Sequence, residues 1–252
     1  MLNTELIFWL PLFFFAIIEE FSARRPQQQT FKRWISNFSL LFINRYLLPL
    51  IIPTLFNDIW TNSVTPSYLF QDSLVLTILI ALLGYDLMLY WQHRLFHRIK
   101  FFWRFHRIHH SDLELDISTS VRQHPVSSLF SNMITGSLLV LSGISYEAFM
   151  LCILCSQLYS FFTHANIKLN THLESVMGLI FITPKTHTVH HLANLPYTDS
   201  NYGEIFSVWD RLFNSYRQYP EMDAHNYLLG LDSIREKQDQ SVIKLLLNPF
   251  KH

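Results

Sequence analysis

"DSLVLTILIALLGYDLMLYWQHRLFH", residues 72–97, is apolar for about twenty positions and then closes on two histidines. The apolar part has the length of a helix that crosses about 30 Å of hydrocarbon. Asp86, Tyr90, His93 and His97 stand at i, i+4, i+7 and i+11, in one stripe running to its end. An ionisable group such as Asp86 in an apolar helix marks a functional position. Its carboxylate is expected to accept an N–H from a metal-binding histidine, on another helix because His93 is two turns away.

The rest of the chain has the same character. Its 252 residues are 50% hydrophobic and 15% charged, carry 22 Phe and have zero formal net charge. Soluble domains carry about 25% charged residues, so the shortfall points to lipid. Four more apolar stretches flank the first: "LIFWLPLFFFAII" (6–18), a segment at about 38–57, and two at about 126–144 and 146–163. The last two read as a tight hairpin around "GIS" (143–145). Segment 6–18 has no basic region before it and reads as a retained anchor. Segment 38–57 contains Asn44, Arg45, Pro49 and Pro53, and reads either as a span or as a re-entrant pair of short helices. Cys152 and Cys155, inside "MLCILCSQL", read as small helix-packing residues.

Basic residues order these segments. Arg24, Arg25, Lys32 and Arg33 follow the first; Arg94, Arg98, Lys100, Arg104, Arg107 and Arg122 lie between the third and fourth; the next is Lys168. About four transmembrane helices are expected, with every cluster on one side, which the positive-inside rule makes cytoplasmic, and the N-terminus opposite.

Of thirteen histidines, nine form a pattern. "HRLFH" gives His93 and His97, "HRIHH" His106, His109 and His110, "FFTHAN" His164, and "HTVHH" His187, His190 and His191. Spacings of three and four share a helix face, so each cluster is expected to aim its imidazoles at one point. A solvated basic helix that binds lipid headgroups is the plainer reading of any single cluster. Three clusters at one membrane face make a metal site the better reading, and the donors exceed what one ion takes, which suggests two. Imidazole suits Zn, Cu, Fe and Ni alike. No HExxH occurs, which argues against a zinc hydrolase.

These motifs, in this order, resemble the fatty acid hydroxylase/sterol desaturase superfamily of integral-membrane di-iron oxygenases. The resemblance extends to "RQHP" (122–125), "FFTHAN" (161–166), "TPKTHTVHH" (183–191), "NYG" (201–203) and "WDRLF" (209–213), and covers roughly residues 80–215. Asn214 departs from the family's usual glycine, and the first 75 residues carry no family signature. The resemblance implies two iron ions that activate O2, held by His93, His97, His106, His109, His110, His187, His190 and His191. His164 is a ninth ligand and His172 a further candidate; Asp86, Tyr90, His124 and Asn166 surround them. His225 and His252 fall outside the pattern and are expected at the surface.

The expected architecture is an all-α integral membrane protein with a cytoplasmic helical cap around a histidine-rich dimetal site. Residues 1–75 form anchor helices, 76–215 the catalytic domain, and 216–252 a cytoplasmic tail. The expected function is hydroxylation of a lipid C–H bond, on a fatty acyl, sterol or related substrate. The alternatives are desaturation on the same site, or a non-catalytic, zinc-stabilised membrane protein; zinc would also serve as a substituted metal. No haem, flavin or iron–sulfur motif is visible, so two electrons must come from a separate donor of cytochrome b5 or ferredoxin type with its reductase. The basic loops from Arg94 to Arg107 offer that donor a landing patch. No nucleic-acid partner is expected, and the bacterial inner membrane and the endoplasmic reticulum fit equally.

Overall fold

The computed structural model describes residues 4–27, 30–51, 74–142, 144, 146–218 and 228–251. The described residues are helical, with isolated bridges and no strand. His225, His252, Gly143, Ser145 and the 52–57 end of the second apolar segment lie outside them.

Helix α1 (Thr4–Ser22) turns one face inward, where Phe8 and Leu12 pack with Leu41, Ile117, Val121 and Phe161. Its other face leaves Leu10, Phe13, Phe14 and Ile17 exposed, an apolar stripe of a kind that soluble monomers seldom present. Helix α2 (Thr30–Phe42) continues through a π-helical turn (Ile43–Leu47) into α3 (Leu48–Ile51) and runs antiparallel to α1. At one end Arg45 pairs with Glu5 at 2.9 Å and lies over Phe8, so this arginine inside an apolar segment faces protein. At the other end Arg33 and Trp34 reach Asp116 while Glu19 accepts from the backbone N–H of Ile117.

Helix α4 (Leu74–Arg98) has 25 residues, roughly 37 Å at about 1.5 Å per residue. Among the described residues it holds the one helix long and apolar enough to cross a membrane (Val75–Arg98). After an extended Ile99 the chain re-enters helix as α5 (Lys100–His110). A 3-10 turn (Ile117–Val121), closed by a capping box between Asp116 and Thr119, leads to α6 (Pro125–Ser142) and α7 (Tyr146–His164). Cys152 and Cys155 are free thiols on α7. Short helices α8 (Thr171–Met177), α9 (Pro184–His190) and α10 (Val208–Leu212) close the end where the histidines lie.

The described C-terminal residues are built into this body. Helix α11 (Val242–Leu247) packs Leu245 against Leu40, Ile108 and Ile234. Arg104 and Arg107 on α5 donate to the carbonyls of Pro249 and Asn248.

Candidate metal centre

Four helices end at one place, and their C-terminal portions carry the histidines: His93 and His97 on α4, His106, His109 and His110 on α5, His164 on α7, His187 and His190 on α9, with His191 as its C-cap. The structure brings all nine together in two groups. His93, His97, His106, His110 and His190 form one and His109, His164, His187 and His191 the other, with ring nitrogens in each within 4.8 Å of one another.

The expectation that each cluster aims at one point is therefore corrected. "HRIHH" gives its first and third histidines to the five-membered group and its middle one to the four-membered group; "HTVHH" does the reverse. Successive residues turn by about 100°, so i and i+4 lie about 40° apart, whereas i+3 and i+4 are separated by about 100°. One helical turn thus addresses two neighbouring points.

Within the groups the Nε2 atoms face each other: His97 and His110 at 3.0 Å, His109 and His164 at 3.2 Å, His164 and His187 at 3.0 Å, His187 and His191 at 3.2 Å. His164 donates its Nδ1–H to the Ser160 carbonyl at 2.8 Å, so its Nε2 carries no hydrogen and can only accept. His93 Nε2, His190 Nε2 and both nitrogens of His106 are buried without a partner among the described residues. Buried nitrogens left unsatisfied are costly unless something fills the gap. Donors about 2.0–2.1 Å from one ion lie roughly 3 Å apart, as these do, and the donor set fits a metal in each group. Burial first, and neighbouring imidazoles second, hold His109, His110, His187 and His191 well below the usual histidine pKa, in the neutral form that metals bind.

An outer ring of hydrogen bonds sets the orientation. His93 Nδ1 donates to the Tyr202 carbonyl (2.9 Å), His190 Nδ1 to the Ser200 carbonyl (2.7 Å) and His97 Nδ1 to Asp199 Oδ1 (3.3 Å), so each turns its Nε2 inward. The loop that supplies these acceptors is shaped by "NYG" and "WDRLF". Asn201 adopts φ 51° and its amide bonds Thr186 and Arg217, and Asp210 accepts from the backbone N–H groups of Tyr202 and Gly203 at 2.8 Å. A Cβ on Gly203 would meet the Phe206 carbonyl at 2.6 Å, so only glycine fits.

The expected surrounding residues occupy other places. Asp86 accepts from Ile205 N (2.9 Å), Phe206 N (3.1 Å) and Trp209 Nε1 (2.8 Å) and bonds no histidine among the described residues, because the 205–209 loop lies against that part of α4. Tyr90 pairs with Ser215 and Arg94. Asn166 binds the backbone of Arg25, His124 lies between Val126 N and the Leu246 carbonyl, and His172 is exposed on α8. Arg122 of "RQHP" is fully buried behind "HRIHH" and donates to the Ile108 carbonyl, Asn37, Ser111 and Gln240.

A chamber of about 360 Å³ opens beside the histidines. His93, His106, His109, His164 and His187 form its floor, and Gln92, Ser131, Asn132, Gln157 and Glu204 are among its walls. Burial pushes the Glu204 carboxyl up to about 8. Glu204 and Gln92 had no sequence signal, since neither belongs to a periodic motif.

A family model described as fatty acid hydroxylase matches residues 78–215, more than half of the chain. The chain is 37% identical over 151 residues to an alkylglycerol monooxygenase of Danio rerio, covering 59% of this chain and 32% of that protein. An ornithine lipid hydroxylase of Rhizobium tropici is 33% identical over 58% of this chain and 42% of its own length. A Delta(7)-sterol 5(6)-desaturase of Gibberella zeae is 24% identical over 71% and 52% respectively. The chain thus spans between about a third and a half of these three relatives. No solved structure matches it.

Proposed function

The chain belongs to the fatty acid hydroxylase family, and from that premise we propose that it is a membrane-bound oxygenase that hydroxylates a C–H bond of a lipid, using O2 and two electrons from a separate carrier. The observation that carries this reading is the gathering of nine histidines into two facing groups on the floor of a chamber. His93, His97, His106, His110 and His190 would hold one iron ion, and His109, His164, His187 and His191 the other. Bound iron supplies the O2 chemistry that an unactivated C–H bond requires and that zinc, which has no redox chemistry, lacks.

The protein's own part is placement. The carbonyls of Ser160, Ser200 and Tyr202 fix which ring nitrogen each histidine offers. Asp199 supports His97 with a carboxylate. The apolar side chains of Leu89, Phe96 and Ile153 line the chamber and limit water at the reacting carbon. Residues 76–215 form the catalytic domain in this reading, and α1, the α2–α3 stretch, α4, α6 and α7 cross the bilayer with the histidine end at the cytoplasmic face; α1 and α4 both run toward that end, so the chain crosses back between them. The exposed apolar stripe of α1 and the length of α4 support that topology.

The relatives carry names of hydroxylating and of desaturating enzymes, and both outcomes begin with removal of one hydrogen. The test is to purify the protein, measure its metal and supply lipid extract, O2 and a reductant. About two iron ions per chain and an oxygen-dependent hydroxylated lipid are expected; an alkene product would favour the desaturase alternative. Zinc in place of iron, with no oxygen-dependent product, would overturn the oxygenase reading.

A further inference from the structure

Around the short helices α8 and α10 lies an apolar surface on the outside of the molecule. Leu173 and Val176 on α8, Leu179 and Ile180 in the turn after it, and Val208 and Leu212 on α10 are exposed, Leu179 and Leu212 by 62% and 63%. The two helices are joined through backbone carbonyls. Ser207 N–H donates to Ile180 at 2.8 Å, and Ser207 Oγ and Arg211 Nη2 donate to Gly178 at 3.1 and 2.8 Å. Helix α4 fixes the level of this patch. Asp86, which holds Ile205, Phe206 and Trp209, stands eight residues before Arg94, the first Lys or Arg of α4. At about 1.5 Å per residue the loop is held about 12 Å inside the apolar part of that helix. Phe213, next to Leu212, packs its ring 4.9 Å from Trp91, an exposed aromatic of the kind that marks a membrane boundary. Tyr159 on α7 ties the same segment to a second apolar helix through the Ile182 carbonyl at 2.9 Å. Irregular backbone is tolerated at such depth only where the protein satisfies its polar groups. Here Ile182 N–H donates to the Ile205 carbonyl at 2.8 Å, and the Asp86 carboxylate takes the N–H groups of Ile205 and Phe206.

We propose that α8 and α10 are sunk into the leaflet on the histidine side, with these six side chains against the acyl chains of membrane phospholipid. The inference rests on the bilayer-crossing topology proposed for α1, α4 and α7. Charge agrees with the placement. Lys168 N–H donates to the Ser22 carbonyl at the end of α1, so the exposed Lys168 enters α8 at the level where phosphate groups lie. Arg211 lies over the Tyr216 ring at 3.8 Å and is bonded to Gly178, which shelters its guanidinium in apolar surroundings. The same connection carries the Ser200 and Tyr202 carbonyls, the acceptors for His190 and His93. The leaflet therefore holds the segment that orients two histidines, and Asp86 is placed in an apolar helix to fasten that segment at its depth.

The experiment uses the full, metal-loaded chain in nanodiscs of phosphatidylcholine and phosphatidylglycerol. A phosphatidylcholine with a diazirine midway along one acyl chain is photolysed there, and its adducts are mapped by mass spectrometry. Adducts are expected within 173–180 and 208–212, in yield comparable to Leu79 and Ile80 on the exposed face of α4 and several-fold above the exposed Leu195 after α9. Yields at 173–180 no higher than at Leu195 would overturn the proposal. A second measurement places a nitroxide at Leu179→Cys in a chain carrying Cys152→Ala and Cys155→Ala. Collisions with dissolved O2 should exceed those with a water-soluble nickel complex. Nickel collisions as frequent as for the same label at Leu195→Cys would overturn the proposal, and so would protection from both reagents, which would show a protein covering the patch. Where the cysteine variants fail to fold, photolabelling of the unaltered chain decides. Adducts on α4 without adducts on 173–180 sink this inference alone; no adducts on α4 sink the topology, and the inference with it.

Discussion

"HRIHH" and "HTVHH" have the same spacing, lie in the last turns of two helices and are equally buried, yet they are held by different forces. "HRIHH" is backed by charge. Arg122 grips the Ile108 carbonyl from behind, and Arg33 joins Asp112 and Asp116 just beyond the helix end. The Asp112 carboxyl is held below its ordinary value, since the Arg33 and Arg122 guanidiniums outweigh its burial. "HTVHH" is backed mainly by neutral groups: the Thr183 N-cap, the Thr188 hydroxyl on the Pro184 carbonyl at 2.7 Å, and Asn201 on the Thr186 carbonyl at 3.1 Å, with the Glu174 carboxylate only on the Lys185 backbone N–H at the start of the helix. One cluster is thus clamped by a buried ionic network whose parts cannot be removed singly without exposing a charge. The other is tied by bonds that are individually modest.

The contrast can be broken from the charged side first. Arg122→Met should destabilise the protein by about 3–5 kcal/mol, because it removes a buried positive charge that acts on Asp112 and leaves the Ile108 carbonyl, Asn37, Ser111 and Gln240 without their donor. Detergent-solubilised unfolding followed by tryptophan fluorescence measures this, and a loss below about 1 kcal/mol would show that the network carries little. Next come the ligands. His109→Ala leaves three donors in the four-membered group and should drop metal towards one ion per chain. His190→Ala leaves four donors in the five-membered group and should retain more. Elemental analysis of both variants decides, and equal losses would contradict the division into groups. Asp199→Ala frees His97 and is expected to weaken metal binding by about tenfold or more, read by chelator competition. Thr183→Ala should be smallest, about 1 kcal/mol for a lost N-cap, and confined to the "HTVHH" side.

Much of the centre was legible because it depends on residue type and helical spacing, both of which a sequence displays. All nine histidines named from "HRLFH", "HRIHH", "FFTHAN" and "HTVHH" converge. Their sorting is not legible from proximity alone, because spacings of three and four bring residues near each other at different angles. Asp86 was misassigned for another reason: spacing along α4 identifies its stripe but not which distant loop lies against it, and here residues 205–209 do. The acceptors for His93, His164 and His190 are backbone carbonyls, which every residue has and no sequence marks. Apolar segments were visible as runs, yet α6 is interrupted by the serines and Asn132 that face the chamber. A helix that lines a polar cavity loses the uniform hydropathy by which a span is recognised.

The reciprocal sharing of the two clusters has a mechanical consequence. Neither helix end belongs to one group, so a small shift of α5 or α9 carries a donor of each group with it. Motion of either helix translates the pair as a unit and leaves the gap between its members nearly unchanged. The separation is set by rotation within a single turn of backbone, which is far stiffer than the packing of one helix on another. The two positions behave like marks on the same ruler, fixed relative to each other even while the surrounding helices adjust.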